Sequence, residues 1–443
     1  MVSRFAEHLL IGDTLSATVT PLEGIVERRL TPILAELARV EPVIALHGPR
    51  SVGKSTTLSA FAAAHGVPVI DLDDPATRDA VLANVASAIG EHMPVCLDEY
   101  QHAPEVLEAL KARLNREGSR PGMAVLTGST RQDALPRTSQ ALTGRLHSLT
   151  IWPLSQGEIA GDAENLLPAL RVDPDAAVAT YPTSVTTRAE YVARVCGGGF
   201  PLALRRPAGA ARNRWLDDYI QQSIERDAVE LARIRQRQLL RELLGRLAGR
   251  TGQVLNLSAA GDGLSLSRTT LEEHTRLLED LFLIERLPAW GKTLRVRTVA
   301  APKVHLVDSG VAARLLRVSP DKLAGLDPTT LTEFGNLLET FVVGEIRKQA
   351  SWLNDPVTAG HWRTHDGDEV DYVLEFDDGS ILAFEVKANE RVSGADLKGL
   401  RTLRNILGER FIAGVAFSTG ARSYNYEDRI YVMPVDRLWR PVP

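Results

Sequence analysis

Over residues 42–152 the hydrophobic positions fall in short unbroken runs: PVIALHG (42–48), Val67 to Leu72, PVCLD (94–98), Met123 to Thr127 and Ser148 to Trp152. Apolar runs of this length, bounded by turn residues and separated by stretches of helical composition, predict buried parallel strands alternating with helices, an α/β fold. Residues 161–190 lack long periodicity and include Pro168, Pro174 and Pro182, so short helices and loops are expected there. From Trp215 to Leu247 the pattern becomes that of arginine-rich helices with interleaved acids, the composition of solvated faces.

Further on the period changes again. Leu257 to Gly261 predicts a short helix and Asp262 to Leu264 a turn. Ser267 or Thr269 then caps a helix carrying Leu271, Leu278 and Leu281, with Thr269 and Glu272 at capping-box spacing. Strands at Phe282 to Leu287 and Val304 to Val307 complete the order of a winged helix, whose third helix would be the recognition element. The loop between the strands holds Lys292, Arg295 and Arg297, and no acid lies between Arg286 and Lys303, so it suits a phosphate backbone. Glu272, Glu273, Glu279 and Asp280 on the third helix argue instead for a protein partner.

In the last hundred residues, GNLLETFVVGEIRKQ predicts a helix with Leu338, Phe341, Val342 and Ile346 inward and Glu339 and Glu345 as its acids. HWRTHDGDEVDYVLEF predicts a hairpin with Asp371 on its second strand, and ILAFEVKAN a further strand with Glu385 and Lys387. Side chains alternate along a strand, so Glu385 and Lys387 share a face on which Asp371 can converge across paired strands. His361 and His365 are expected at the surface.

The chain has 443 residues, too many for one ordinary core. The expected division is 1–160 for the α/β core of alternating strands and helices, 161–235 for a helical segment, 236–310 for the winged helix and 311–443 for a C-terminal α/β domain. The 44% hydrophobic and 24% charged content excludes a disordered or fibrous chain. No apolar run approaches the ~20 residues that cross a bilayer, and the start reads as lacking a leader, so a cytoplasmic protein with no membrane partner is expected. Cys96 and Cys196 have neither disulfide-framework nor zinc-ligand spacing. The net charge of -5 hides a basic stretch, residues 200–303, with 18 Lys plus Arg against 12 Asp plus Glu. A polyanion would bind there, although arginine is the default basic residue of a chain with only 8 Lys among 51 basic residues.

The first strand runs into GPRSVGKST, and the residues after it have the alanine-rich composition of a helix, the context that GxxxxGK[ST] needs to cradle phosphates. Gly48, Pro49, Arg50, Ser51, Val52, Gly53, Lys54, Ser55 and Thr56 would hold ATP. Gly48 and Gly53 free the backbone N–H groups to wrap phosphate oxygens, Lys54 reaches the terminal phosphates, and Ser55 offers its hydroxyl to Mg2+. The third run ends in Asp98 and Glu99, an acid for the magnesium shell and a neighbour that polarises the attacking water. Thr127 or Ser129, with Ser129 preferred, would sense the terminal phosphate. Arg145, just before the fifth strand, would act as an arginine finger on a neighbouring subunit, which implies a homo-oligomer.

GPRSVGKST, CLDEYQHAP, LTGST and LTGRL in this order resemble the bacterial and archaeal AAA-type ATP-binding proteins that carry a C-terminal domain of unknown function. The resemblance extends over nearly all of the chain after about residue 20. CGGGFPLALR is similar to the GxP element of the related signal-transduction ATPases. That likeness implies Gly199 and Pro201 near the adenine, with Pro201 opening a helical lid. Arg226 and Asp227 match the family's recurrent Arg-Asp pair. The helix acid Glu339, then Asp371, then Glu385-Val386-Lys387, resembles the PD-(D/E)XK restriction-endonuclease-like pattern. It implies a metal on Asp371 and Glu385, and Lys387 orienting the attacking water. Two functions follow: an ATP-driven enzyme that processes DNA and cuts it, or a nucleotide-controlled switch whose C-terminal domain is catalytically inactive.

Overall fold

The computed structural model describes residues 21–131, 142–180, 182–228, 237–291, 301–325 and 327–442. The apolar runs of the first part form five parallel strands: β1 (Val43–His47), β2 (Val69–Asp71), β3 (Val95–Asp98), β4 (Ala124–Gly128) and β5 (Leu146–Thr150). Their spatial order is β2-β3-β4-β1-β5, so β1 is flanked by β4 and β5. The first, third and fourth strands are buried at every position, as strands covered by helices on both faces must be. The fifth begins two residues earlier than its apolar run indicates, because pairing with β1 in register Val43 to Leu146 recruits Leu146 and His147 at the sheet edge.

Residues 161–190 supply the short helices Leu166–Val172 and Pro174–Ala179, as expected from their prolines, and the helices Arg188–Gly197, Pro201–Leu204 and Ala210–Gln222 follow. Pro174 and Pro201 each sit in the first helical turn, where a missing N–H costs nothing. The backbone of Ser223–Asp227 forms a π turn, and the side chains of Arg226 and Asp227 lie outside the described residues.

The middle segment runs helix (Arg237–Ala248), β6 (Gln253–Val254), helix (Leu257–Gly261), helix (Arg268–Asp280), β7 (Ile284–Leu287) and β8 (Lys303–Leu306). Its strands make an antiparallel sheet ordered β6-β8-β7. Ser267 caps the third helix by accepting from the Thr270 N–H. Thr269 therefore lies inside the first turn, and the Thr269–Glu272 capping box is corrected accordingly. Lys292, Arg295 and Arg297 lie outside the described residues.

The last sheet is mixed. Strands β9 (Val357–Arg363), β10 (Glu369–Phe376), β11 (Ile381–Lys387), β12 (Phe411–Ser418), β13 (Tyr424–Glu427) and β14 (Ile430–Pro434) stand in the order β13-β14-β12-β11-β10-β9. The long helix Pro328–Ala350 packs against this sheet and reaches the other parts of the molecule. Its buried side chains include Phe334, Leu338, Phe341 and Val342, but also Glu345 and Lys348. One contiguous core runs from Leu46 and Phe61 through Leu243 and Leu278 to Phe341, Phe384 and Trp439 and so touches all three sheets, while separate clusters around Leu97 and Leu126 and around Val373 and Leu400 cover the opposite faces of the first and last sheets. Among the described residues no helix is long and apolar enough to cross a membrane.

Candidate functional sites

The glycine-rich loop leaves β1 at His47 and enters the helix Lys54–Ala64. At Gly48 a β-carbon would lie 2.1 Å from the Ile151 carbonyl oxygen, so the approach of the chain leaving β5 requires glycine there. Gly53 has φ 99°, the left-handed conformation that suits glycine. The Lys54 ammonium, buried in this cradle, donates to the carbonyls of Gly48 (3.0 Å) and Pro49 (2.9 Å). Pro49 and Val52 are buried, Arg50 is half-buried, and Ser51, Ser55 and Thr56 face solvent at the mouth of the loop. This cradle fits a phosphate chain, and Ser55 with Asp98 offers the oxygen-only donors that a hard divalent cation takes.

Asp98 ends β3 and is buried, and its Oδ1 accepts from the Thr127 hydroxyl. The Glu99 N–H donates to that same hydroxyl oxygen at 3.2 Å. Gln101 was missed by sequence reasoning: its amide donates to the Glu99 carboxylate and, at 3.1 Å, to the Ser129 hydroxyl. The two acids, Thr127 and Ser129 therefore form one hydrogen-bonded group at the strand ends. Of the two sensor candidates, Thr127 holds Asp98 and Ser129 reaches Glu99 through Gln101.

Arg28 was also missed, and nothing in its sequence neighbourhood marks it. Its guanidinium donates to Val52 O in the glycine-rich loop (2.6 Å), Trp152 O (2.7 Å) and Glu158 Oε1 (3.0 Å). Pro201 opens a short helix on the same edge of the sheet, where Leu154 N–H donates to Gly199 O at 2.8 Å. Arg145 lies elsewhere. It precedes Leu146, which pairs with the first residue of β1, so it sits at the end of the sheet opposite the chain's own glycine-rich loop. There its Nη1 donates to Asn115 Oδ1 at 2.6 Å.

A second set of contacts ties the strand ends to the rest of the chain. Arg131, two residues past Ser129, donates from its backbone to Asp280 O (3.0 Å) and from Nε to Glu279 O (2.9 Å), at the C-terminus of the third middle helix. Its guanidinium lies 5.0 Å from the Phe282 ring centre, and that ring meets Trp152 edge-on at 6.0 Å. The Trp152 ring also carries the Arg347 guanidinium at 4.1 Å. From the long helix, Glu345 accepts the Gln156 N–H at 2.8 Å, while Lys348 donates to Leu154 O at 2.9 Å and to Glu345 at 2.6 Å.

The C-terminal acids do converge. The register that pairs Tyr372 with Phe384 sets Asp371 opposite Glu385, and Lys387 donates to Glu385 Oε1 at 2.7 Å. Asp371 accepts the Val386 N–H at 2.9 Å. At the centre of the group, however, stands Lys303 of β8, whose side chain is 1% exposed and whose ammonium meets Glu339 (2.9 Å), Glu369 (2.5 Å) and Asp371 (2.8 Å). Burial opposes the charged form of Lys303, but Asp371, Glu339 and Glu369 outweigh it and raise the pKa. Burial, then the Asp371 charge, pushes Glu385 up to about 8, and the same two causes raise Glu339. Among the described residues no group of three or more His, Cys, Asp or Glu side chains is arranged to hold a metal. The residues present do not fit a divalent ion on Asp371 and Glu385 while Lys303 is in place.

Period-two alternation in Lys303-Val304-His305-Leu306 puts Lys303 and His305 on one face, although the apolar pattern started this strand one residue later, at Val304. That the long helix covers this face was not legible. His361 is 2% exposed, against expectation, because its strand edge is covered by Pro288–Trp290: His361 N–H donates to Pro288 O (2.9 Å) and Trp290 N–H to His361 O (2.6 Å). His365 is fully exposed, as expected.

Residues 40–160 match the family described as an AAA domain, and residues 188–322 and 334–438 match two domains of unknown function, DUF8612 and DUF4143. Uncharacterized proteins of Mycobacterium tuberculosis and Mycobacterium bovis are each 23% identical over 398 residues, 90% of this chain and 81% of theirs. Among solved structures, the Walker-type ATPase of Pyrococcus abyssi overlaps at TM-score 0.41 with 16% identity, covering 66% of this chain and 96% of that one. The Holliday junction branch migration motor of Thermotoga maritima overlaps at 0.29 with 15% identity and the same coverage. The AAA-domain match falls on the strands that carry the glycine-rich loop, Asp98 and Ser129, so residues 40–160 are similar to AAA domains over the part that holds the site.

Proposed function

We propose that the chain is a nucleotide-controlled switch, in which ATP binding and hydrolysis in the AAA-type domain change how the middle segment engages DNA. One observation carries this reading: Arg131, two residues beyond Ser129, is bonded to the last turn of the helix Arg268–Asp280. A shift of the β4 end that accompanies occupation or loss of the terminal phosphate would reach that helix directly. The helix and strand order of the middle segment supports a winged helix, and its excess of basic residues supports a nucleic-acid partner.

In the ATPase step, Lys54 exchanges the carbonyls of Gly48 and Pro49 for phosphate oxygens. Glu99, released from Gln101, polarises the attacking water, and Ser129 holds the terminal phosphate. Pro201 borders the base. Mg2+, held through Ser55 and Asp98, would neutralise phosphate charge. Arg145, remote from its own loop, serves a neighbouring subunit's nucleotide, which makes the working form a homo-oligomer.

The second reading, an ATP-driven nuclease, is favoured by the convergence of Glu339, Asp371, Glu385 and Lys387, and it requires Lys303 to leave the cluster before Asp371 and Glu385 could hold a metal. Fluorescence anisotropy against duplex, single-stranded and branched DNAs, with ATP or ADP, separates the two. The switch predicts DNA affinity that depends on the nucleotide and intact DNA afterwards. Cleavage that needs a divalent metal would favour the nuclease, and nucleotide-independent affinity would end the switch reading.

A further inference from the structure

In the C-terminal acid cluster an ammonium stands where Glu339, Glu369 and Asp371 meet. We propose that Lys303 is the built-in cation of this cluster, so that a divalent metal on Asp371 and Glu385 and a docked β8 exclude one another. The inference goes beyond the switch reading and does not depend on it.

The geometry leaves little room for both cations. Glu339, Glu369 and Asp371 each hold the Lys303 ammonium at 2.5–2.9 Å. A hard divalent ion needs its oxygens at ~2.0–2.6 Å, so an ion using these carboxylates would sit against the ammonium. Lys303 cannot simply swing out. It starts β8, the central strand of its sheet, with β6 on one side and β7 on the other. Its neighbours are bonded to the long helix: His305 Nδ1 lies 3.2 Å from the Thr340 hydroxyl, which lies 2.7 Å from that of Thr251. Removing the ammonium therefore means moving the strand.

The charges are consistent with this assignment. Isolated buried ions are costly, and they persist where partners surround them. Lys303 has three carboxylates, while Glu385 has Lys387 at 2.7 Å and an Oε2 that is buried without a hydrogen-bond partner. The cluster thus holds β8 against the long helix and β10, and it joins the middle segment to the last sheet.

The test counts Mn2+ bound to the nucleotide-free full-length chain by electron paramagnetic resonance. Wild type and Asp371→Asn should bind the same number, because no ion sits on the cluster. Lys303→Met, which keeps the length of the side chain but not its charge, should gain one Mn2+ per chain and lose it again when Asp371→Asn is added. Its melting temperature should rise with Mn2+ more than that of wild type. A wild-type ion that Asp371→Asn removes would overturn the proposal, as would a folded Lys303→Met with no additional ion. If Lys303→Met does not fold, the comparison of wild type with Asp371→Asn decides alone.

Discussion

Glu345 and Lys348 form a charged pair in the interior, where the long helix meets the segment leaving β5. Their side chains are 0% and 7% exposed, and they bond to the Gln156 N–H and the Leu154 carbonyl. Glu345→Ala strands a buried ammonium, which costs ~3–5 kcal/mol. It also leaves the Gln156 amide without its acceptor, worth a further ~1–3 kcal/mol. Lys348→Met strands the carboxylate by the same logic. The double variant removes both charges and leaves only backbone groups to be satisfied, so it should be more stable than Glu345→Ala by about 1 kcal/mol or more despite carrying two changes. Glu345→Gln should fall between, because its amide oxygen still accepts from Gln156 but cannot balance Lys348. Urea unfolding followed by tryptophan fluorescence ranks the variants, and hydrogen exchange at residues 154–160 localises the loss. If the double variant were destabilised by the sum of the two singles, the pair would not be coupled and this account of the contact would be wrong.

Lys54→Ala should abolish tight ATP binding, whereas Glu99→Gln should keep it and stall turnover; equal turnover for Glu99→Gln and wild type would remove Glu99 from the chemistry. Arg145→Ala should lower ATPase activity with little change in nucleotide affinity, and wild-type activity per chain should rise with protein concentration; a concentration-independent rate from a monomer would exclude a finger acting in trans. His305 is held well below its ordinary pKa by burial, with the Lys303 charge adding to it. The unfolded chain therefore binds the extra proton below about pH 6.5, so stability should fall on acidification by up to ~1.4 kcal/mol per pH unit for this group. His305→Gln should flatten that slope in urea titrations at pH 5–7, and an unchanged slope would count against it.

The glycine-rich loop between β1 and its helix was legible because its pattern is local: a strand, then two glycines, a lysine and a hydroxyl within nine positions, followed by a helix. Asp98, Glu99 and Ser129 were legible for a related reason, since a parallel sheet brings the C-terminal ends of its strands to one edge. The side-chain contacts between distant stretches of the chain were not. Arg28, Gln101, Arg131 and Lys303 each act across a sequence gap through one side chain, and an arginine or lysine destined for a carbonyl or a carboxylate cluster looks the same in sequence as one destined for solvent. Glu345 was visible as a helix acid but read like any other, because burial on both sides of the long helix depends on what packs there. The C-terminal acids show the same limit: their spacing was right, and the lysine that occupies their centre comes from another sheet.

The link from the nucleotide to the middle segment can be measured by hydrogen–deuterium exchange over residues 268–282, in the Glu99→Gln background, with ATP and with ADP. Exchange there should differ between the two nucleotides, and Arg131→Ala should abolish the difference while leaving ATP affinity intact. Identical exchange with ATP and ADP, or a difference that survives Arg131→Ala, would contradict the switch.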